Sequence, residues 1–303
     1  MRTKRKILIA STNFNLDVSE YKRRFEFIYN TEQKTLPLER LDELLEGVSG
    51  TVAALEPYTY DIFDKHKGTL KIVSRIGTGV DNINVIAART FGIKIETTPE
   101  APVQAVTELT IGMMINLCRH IHLVNNEMHT GNWNARLGHK LSERKIGILG
   151  YGRIGSAVAK SLEVFTSNPI KHHDILPERS NCTLDELFST CDLITVHIPL
   201  EGNRDFVSRK LLDLMPNGSF LINNARGKIV HESDIIGALE SNKLAGYAAD
   251  THDYEPYSGH LISMPNVILT PHIGSHTIET RKEMNEGALK KCIDFLSKKN
   301  PLP

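Results

Sequence analysis

Cysteine is scarce in this chain and scattered: Cys118, Cys182, Cys191 and Cys292 are the only four in 303 residues, and none stands in CxxC spacing. That excludes a disulfide framework and a cysteine-based zinc site, and no His, Asp or Glu grouping suggests another metal centre. An excess of one charge is also missing. Lys plus Arg number 36 and Asp plus Glu number 36, with pI near 7.2, so no global field draws nucleic acid or an anionic membrane. No apolar run approaches the roughly 20 residues of a membrane span. The basic start RTKRK is followed by only ILIA before polar STN, too short for a signal-peptide core. The expectation is a soluble, cytoplasmic protein with reduced thiols and a small-molecule partner.

What is present is alternation. Apolar runs KILIA, TVAAL, LKIVSRI and IKIETT are separated by helical patterns LERLDELLEG, TYDIFDKHKG and NVIAARTFG, which reads as β-α-β units feeding a parallel sheet. After TTPEAP one long apolar-periodic helix is expected over Val103 to Ile121, behind Pro99 and Pro102. A second series follows from Lys145, with strands KIGIL, IKHHD, DLITVHI, SFLINN, LAGYAAD and VILT, and a closing helix is expected from Ser275. The length suits two domains, since single cores stop growing near roughly 250 to 300 residues. The fold class is α/β, with two Rossmann-like doubly wound parallel-sheet domains separated by an active-site cleft. They are expected over 1–98 plus 276–303 and over 99–275.

The run KIGILGYGRIGSAVAKSL places a G-x-G-x-x-G turn between a strand and a helix. Gly150 permits the tight turn, Gly152 lets backbone N–H groups approach a pyrophosphate, and Gly155 lets the helix pack close, while the helix N-terminus adds partial positive charge. A dinucleotide is implied. Asp174 ends the next strand, 19 residues past Gly155, where a carboxylate accepts from ribose hydroxyls and repels a 2′-phosphate. NAD(H) is therefore favoured over NADP(H), although a cation at His172 or His173 could soften that repulsion.

Three polar residues follow strands of the second series: Arg226 in INNARGK, Glu255 in DTHDYEP and His272 in TPHIGS. Ligands of doubly wound sheets lie beyond the strand carboxyl ends. Hydride transfer to a carbonyl needs a proton donor, and histidine titrates nearest to working pH. A carboxylate orients an imidazole and stabilises its charge, and a guanidinium clamps a substrate carboxylate in forked geometry. The set points to a 2-oxo or 2-hydroxy acid.

These residues, with RIGTGVDNI, APVQAVTELTIGMMINLCR, GILGYGRIG, HIPL, INNARGKIV, LAGYAADTHDYEP and VILTPHIGSHT, make the chain resemble the D-isomer-specific 2-hydroxyacid dehydrogenases over nearly its whole length. The resemblance implies Arg226, Glu255 and His272 as the catalytic set. It implies Arg153, Ile154, Asp174, His197, Ala225, Asp250, His272 and Ser275 as contacts to NAD. It also implies Gly77, Thr78 and Gly79, together with Arg226, as holders of the substrate carboxylate. The first domain would be the substrate domain and the second the NAD-binding domain. Implied activities are phosphoglycerate dehydrogenase-like or glyoxylate/hydroxypyruvate reductase-like. Phosphoglycerate-specific members place an arginine where this chain has Ala54, beside Glu56, although some bacterial members labelled phosphoglycerate dehydrogenase share this LEP variant; no serine-sensing domain is expected after the last helix.

Two further departures, Pro102 and His252, are expected to stay clear of the catalytic set. His197 is read either as a cofactor neighbour or as a strand-end packing residue. His120, His122, His129 and His139 are read as solvated surface. The alternative reading is a non-catalytic NADH-sensing binding protein on the same scaffold. A homodimer through the NAD-binding domain is expected, because Val106, Leu109, Ile111, Met113, Met114, Ile115 and Leu117 surround the long helix. By the resemblance, the segment with Trp133 embraces the partner.

Overall fold

The computed structural model describes residues 4–12, 14–32 and 34–298. Residues 2 and 3 of the basic opening run and residues 299–303 of the expected first domain lie outside them. In chain order the elements are β1 (Arg5–Ile9), β2 (Phe25–Tyr29), α1 (Leu38–Leu44), β3 (Val48–Ala53), α2 (Tyr60–His66), β4 (Ile72–Arg75), α3 (Val85–Thr90), β5 (Lys94–Glu96), α4 (Val103–Arg119) and α5 (Ile121–His129). Then come β6 (Ile146–Leu149), α6 (Arg153–Leu162), β7 (Lys171–His173), α7 (Leu184–Thr190), β8 (Leu193–Val196), α8 (Arg209–Leu212), β9 (Ser219–Asn223), α9 (Glu232–Glu240), β10 (Leu244–Ala249), β11 (Val267–Leu269) and α10 (Ile278–Ser297). They form two compact units, Met1–Pro102 with Thr277–Pro303, and Val103–His276.

Each unit holds one wholly parallel sheet, ordered β2-β1-β3-β4-β5 in the first and β11-β10-β9-β8-β6-β7 in the second. Both orders reverse direction beside their first strand, between β1 and β3 and between β6 and β8, which is the doubly wound arrangement expected from the alternation. Helices on both faces explain why β6, β8 and β9 are buried at every position and read as continuous apolar runs. The strand β2 has no counterpart in the sequence reading. Its FEFIY run sits among the charges of YKRRF and at the sheet edge, where Glu26 and Tyr29 face water.

The long helix differs from expectation. It stops at Arg119, His120 takes a left-handed conformation at φ 56°, and α5 begins after it. Asn, Asp and His enter this region more readily than other residues. Along α4, Met113, Met114 and Leu117 are buried against Phe220, Ile222 and Ala248, and Leu109, Ile111 and Ile115 pack partly against the same cluster. Gln104, Glu108, Gly112 and Arg119 form its exposed side. The helix thus buries Met113, Met114 and Leu117 within its own unit, while Leu109, Ile111 and Ile115 stay partly exposed. Exposed apolar side chains come later, at Ile121, Met128, Trp133 and Leu137.

The last helix starts at Ile278 rather than Ser275, because the Thr277 hydroxyl caps it by accepting from Thr280 N–H at 3.1 Å. Its Met284, Ala288, Cys292 and Leu296 pack on Ile7, Ile9, Val52 and Ile72 of the first sheet. Among the described residues no helix is long and apolar enough to cross a membrane.

Candidate active site and dinucleotide turn

In the second unit, β6 delivers the chain into the glycine turn at the switch point. Gly150 has φ 94°, and a Cβ there would stand 2.6 Å from the His197 carbonyl oxygen. A Cβ on Gly155 would stand 2.0 Å from the Gly150 oxygen, so α6 is seated closer to the strand than any other residue allows. Above Gly152 a Cβ would meet nothing within 4 Å, and no side chain caps α6, which begins at Arg153 and Ile154. Open space over uncapped helix N–H groups fits a pyrophosphate.

Asp174 follows β7. Its Oδ2 accepts from Tyr151 N–H at 2.7 Å and its Oδ1 from Leu176 N–H at 3.0 Å, so the carboxylate is held at the mouth of the glycine turn with lone pairs left for ribose hydroxyls. The two neighbouring histidines are occupied elsewhere. His172 Nδ1 bonds the Arg179 carbonyl at 2.8 Å while its ring stacks on Tyr151 at 3.7 Å, and His173 Nδ1 bonds the Cys182 carbonyl at 3.2 Å. His197 follows β8 with Nε2 3.0 Å from Thr195 Oγ1 and with Nδ1 sealed without a partner. Burial pushes its imidazole down to about 3, so the ring is neutral at working pH.

The remaining strand ends carry the candidate chemistry. Asn223 accepts from Ala225 N–H at 3.2 Å and donates to the Arg226 carbonyl at 2.9 Å, fixing the turn between them. Arg226 leaves that turn in extended conformation, with Nη1 on the Ala225 carbonyl at 2.7 Å. Asn224 donates to Thr110 Oγ1 on α4 at 3.0 Å. Beyond β10, Asp250 is 2% exposed, and its carboxylate accepts from Thr270 Oγ1 (2.6 Å), Ile273 N–H (2.7 Å) and Gly274 N–H (2.7 Å). Asp250 therefore latches the turn that carries His272, whose backbone is left-handed at φ 56°, and leads into Ser275.

Glu255 and His272 meet. Nδ1 of His272 lies 3.0 Å from Glu255 Oε2, with both side chains about two-fifths exposed. Partial burial raises the Glu255 carboxyl, but the hydrogen bond and charge of His272 outweigh it and hold Glu255 below its ordinary value. With Nδ1 committed to the carboxylate, Nε2 is the nitrogen left to exchange a proton. Behind Glu255 lies a cavity of about 530 Å³ walled by His252, Tyr257, Ile262, Leu269 and Pro271.

Two expectations about histidines are corrected. His252 does touch the candidate catalytic set: its N–H donates to Glu255 Oε1 at 3.3 Å, and its Nε2 bonds the Thr270 carbonyl at 2.9 Å. His122 is not solvated surface. Its Nδ1 lies 2.9 Å from Asn116 Oδ1 and its Nε2 3.1 Å from the Pro265 carbonyl, and burial lowers its imidazole. Each ring also binds a carbonyl distant in sequence, Thr270 and Pro265, for which the chain gave no local signal.

In the first unit, Gly77 follows β4 at φ 123°. Its N–H is already donated to Thr98 Oγ1 at 2.8 Å, which leaves Thr78 and Gly79 as the loop's donors for an anion. After β3, Glu56 is buried and accepts from Ala54 N–H at 2.7 Å; burial raises its carboxyl. Arg281 in the second turn of α10 was missed by sequence reading. It is half-buried, and burial lowers its guanidinium with no carboxylate partner among the described residues.

Residues 111–274 match the family described as D-isomer specific 2-hydroxyacid dehydrogenase, NAD binding domain. The chain is 31% identical over 293 residues to the hydroxypyruvate reductase of Thermotoga maritima, covering 91% of this chain and 95% of the relative. The chain belongs to the D-isomer specific 2-hydroxyacid dehydrogenase family. Its cofactor is NAD, and the matched segment is the NAD-binding domain. It is also 33% identical over 277 residues to the D-3-phosphoglycerate dehydrogenase of Sus scrofa, covering 88% of this chain but only 52% of that relative. A glyoxylate reductase crystal structure from Paecilomyes thermophila superposes with TM-score 0.88 at 26% identity, covering 99% of this chain and 97% of the other. Among these relatives nothing supports the NADH-sensing alternative.

Proposed function

We propose that this dehydrogenase interconverts a small 2-oxo acid and its D-2-hydroxy acid, and that hydroxypyruvate or glyoxylate is preferred to a phosphorylated three-carbon acid. The observation that carries the reading is the 3.0 Å Glu255–His272 pair at adjacent strand ends of the NAD-binding unit. Bound NADH supplies the hydride to C2. His272 Nε2 gives its proton to the C2 oxygen, and Glu255 holds the ring by Nδ1 and stabilises the imidazolium during proton exchange. Arg226 clamps the substrate carboxylate and polarises the carbonyl. Gly150, Gly152, Arg153, Ile154 and Gly155 would hold the pyrophosphate, Asp174 would take the ribose, and Ala225, Asp250, His197 and Ser275 would complete the cofactor contacts.

In the unit formed by Met1–Pro102 and Thr277–Pro303, the Gly77–Gly79 loop is the candidate carboxylate holder. Ala54, followed by the exposed Leu55, stands after β3 where phosphoglycerate-specific members carry an arginine, which supports an unphosphorylated substrate. Free thiols at all four cysteines suit the cytoplasm. A homodimer is supported by Trp133 at 84% and Leu137 at 98% exposure in the segment after α5.

The test is NADH oxidation at 340 nm with glyoxylate, hydroxypyruvate, pyruvate and phosphohydroxypyruvate. Hydroxypyruvate or glyoxylate should give the highest kcat/KM. Preference for phosphohydroxypyruvate would overturn the substrate assignment, and no turnover with any of the four would overturn the activity.

A further inference from the structure

His252 touches all three turns that carry the proposed chemistry. Its Nε2–H donates to the carbonyl of Thr270, two residues before His272, at 2.9 Å. Its backbone N–H donates to Oε1 of Glu255 at 3.3 Å, the oxygen that His272 does not use. Its backbone also supports the turn after Arg226, since a Cβ on Gly227 would stand 1.9 Å from the His252 carbonyl carbon. The ring itself is clamped, stacked on Tyr257 at 4.7 Å and 23°, while the Tyr257 hydroxyl accepts from Leu261 N–H at 3.4 Å.

We propose that His252 is a positioning residue, whose Nε2–H bond to Thr270 sets the spacing between the Glu255 turn and the His272 turn and so holds the proton-transfer pair in line. The bond does more than fill space. Thr270 lies between β11 and His272, and its hydroxyl is already committed to Asp250, so the His252 bond to its carbonyl adds a second side-chain tie from the segment that carries Glu255. An aromatic ring without a donor would keep the stack on Tyr257 and lose this tie. The charged and titratable groups around His252 are Glu255 on its own turn, His272 on the facing turn, and Tyr257 with Glu232 behind the stack.

The inference rests on the reading of Glu255 and His272 as the proton-transfer pair, and the variants separate the two. His252→Phe keeps a stacking ring and removes the donor, whereas His252→Gln places an amide N–H near the Nε2 position. His252→Phe should lower kcat by about tenfold, a small part of what loss of proton transfer itself removes. KM and NADH affinity should stay within about twofold, and the limb of the pH profile set by the pair should move by about half a unit or more. His252→Gln should recover most of kcat and the pH limb. Wild-type kcat and pH profile in His252→Phe, with His272→Ala inactive, would overturn the positioning role and leave the pair intact. Full activity of His272→Ala would instead overturn the pair. Equal losses in both His252 variants would show that the ring only fills space. If His252→Phe does not fold, the imidazole N–H of His252 in the wild type, assigned by its loss in His252→Gln, decides the matter by NMR. Slow exchange of that proton is expected, and exchange at the rate of free imidazole would overturn the proposal.

Discussion

Gly227→Ala tests how tightly the turns beyond β9 and β10 are fitted. A Cβ on Gly227 would lie 1.9 Å from the carbonyl carbon of His252, 2.3 Å from its oxygen and 2.3 Å from Asp253 N. Ordinary carbon contacts lie near 3.5 Å, so the two backbones must part by roughly 1.5 Å. All three atoms are backbone, and no rotamer change relieves them. Arg226 on one side and Glu255 on the other would therefore lose their relation. Misplacement of this size typically costs on the order of 10² in rate, and overpacking costs about 1–3 kcal/mol of stability. We expect kcat/KM, followed by NADH oxidation at 340 nm, to fall by about 10²-fold, with a lower melting temperature. NADH affinity, measured by fluorescence, should hold within a few fold, because the glycine turn lies after β6. Gly237→Ala is the control. It lies inside α9, where a Cβ meets nothing within 4 Å, and it should stabilise by about 0.5–1 kcal/mol without altering turnover. Near-normal kinetics in Gly227→Ala would refute the argument that this contact fixes the site.

Three further outcomes are expected. Asp174→Ala should bind NADPH at least about tenfold better relative to NADH than the wild type does, because the carboxylate at the ribose position is removed; an unchanged ratio in binding titrations would contradict its selective role. His197 stays neutral in the fold with its imidazole lowered to about 3, whereas the unfolded chain protonates near 6.5. Its contribution is complete above the unfolded value and is lost as pH falls between about 6.5 and 3. Urea melts at pH 7.5 and pH 5 should thus show the wild type losing about 2 kcal/mol more than His197→Gln. Trp133→Ser with Leu137→Ser should shift the light-scattering mass from two chains to one, and a wild-type mass of one 33.9 kDa chain would rule out the dimer.

The parallel sheets, the glycine turn and the strand-end position of Glu255 and His272 were legible because each is written locally, in apolar runs, in glycine spacing and in the polar residues just past a strand. Strand β2 was not, because an edge strand keeps only half its alternation and lies among arginines. The break at His120 falls one residue short of the helix end expected at Ile121, since helix periodicity says nothing about a single left-handed residue. The polar side chains whose partners lie far along the chain were the hardest to read. Asp250 gathers donors from 270, 273 and 274, and His252 reaches Thr270. Their chemistry is local in space only, so neither sequence spacing nor residue type announces it.

The most direct test of the proposed chemistry is single-turnover oxidation of NADH by saturating hydroxypyruvate in the wild type and in His272→Ala, with NADH affinity measured in parallel. Loss of a positioned acid typically removes about 10² to 10⁴ in rate, so His272→Ala should bind NADH normally and oxidise it slower by that factor. Oxidation within a few fold of the wild type would contradict the assignment of His272 as the acid and, with it, the catalytic role of the Glu255–His272 pair.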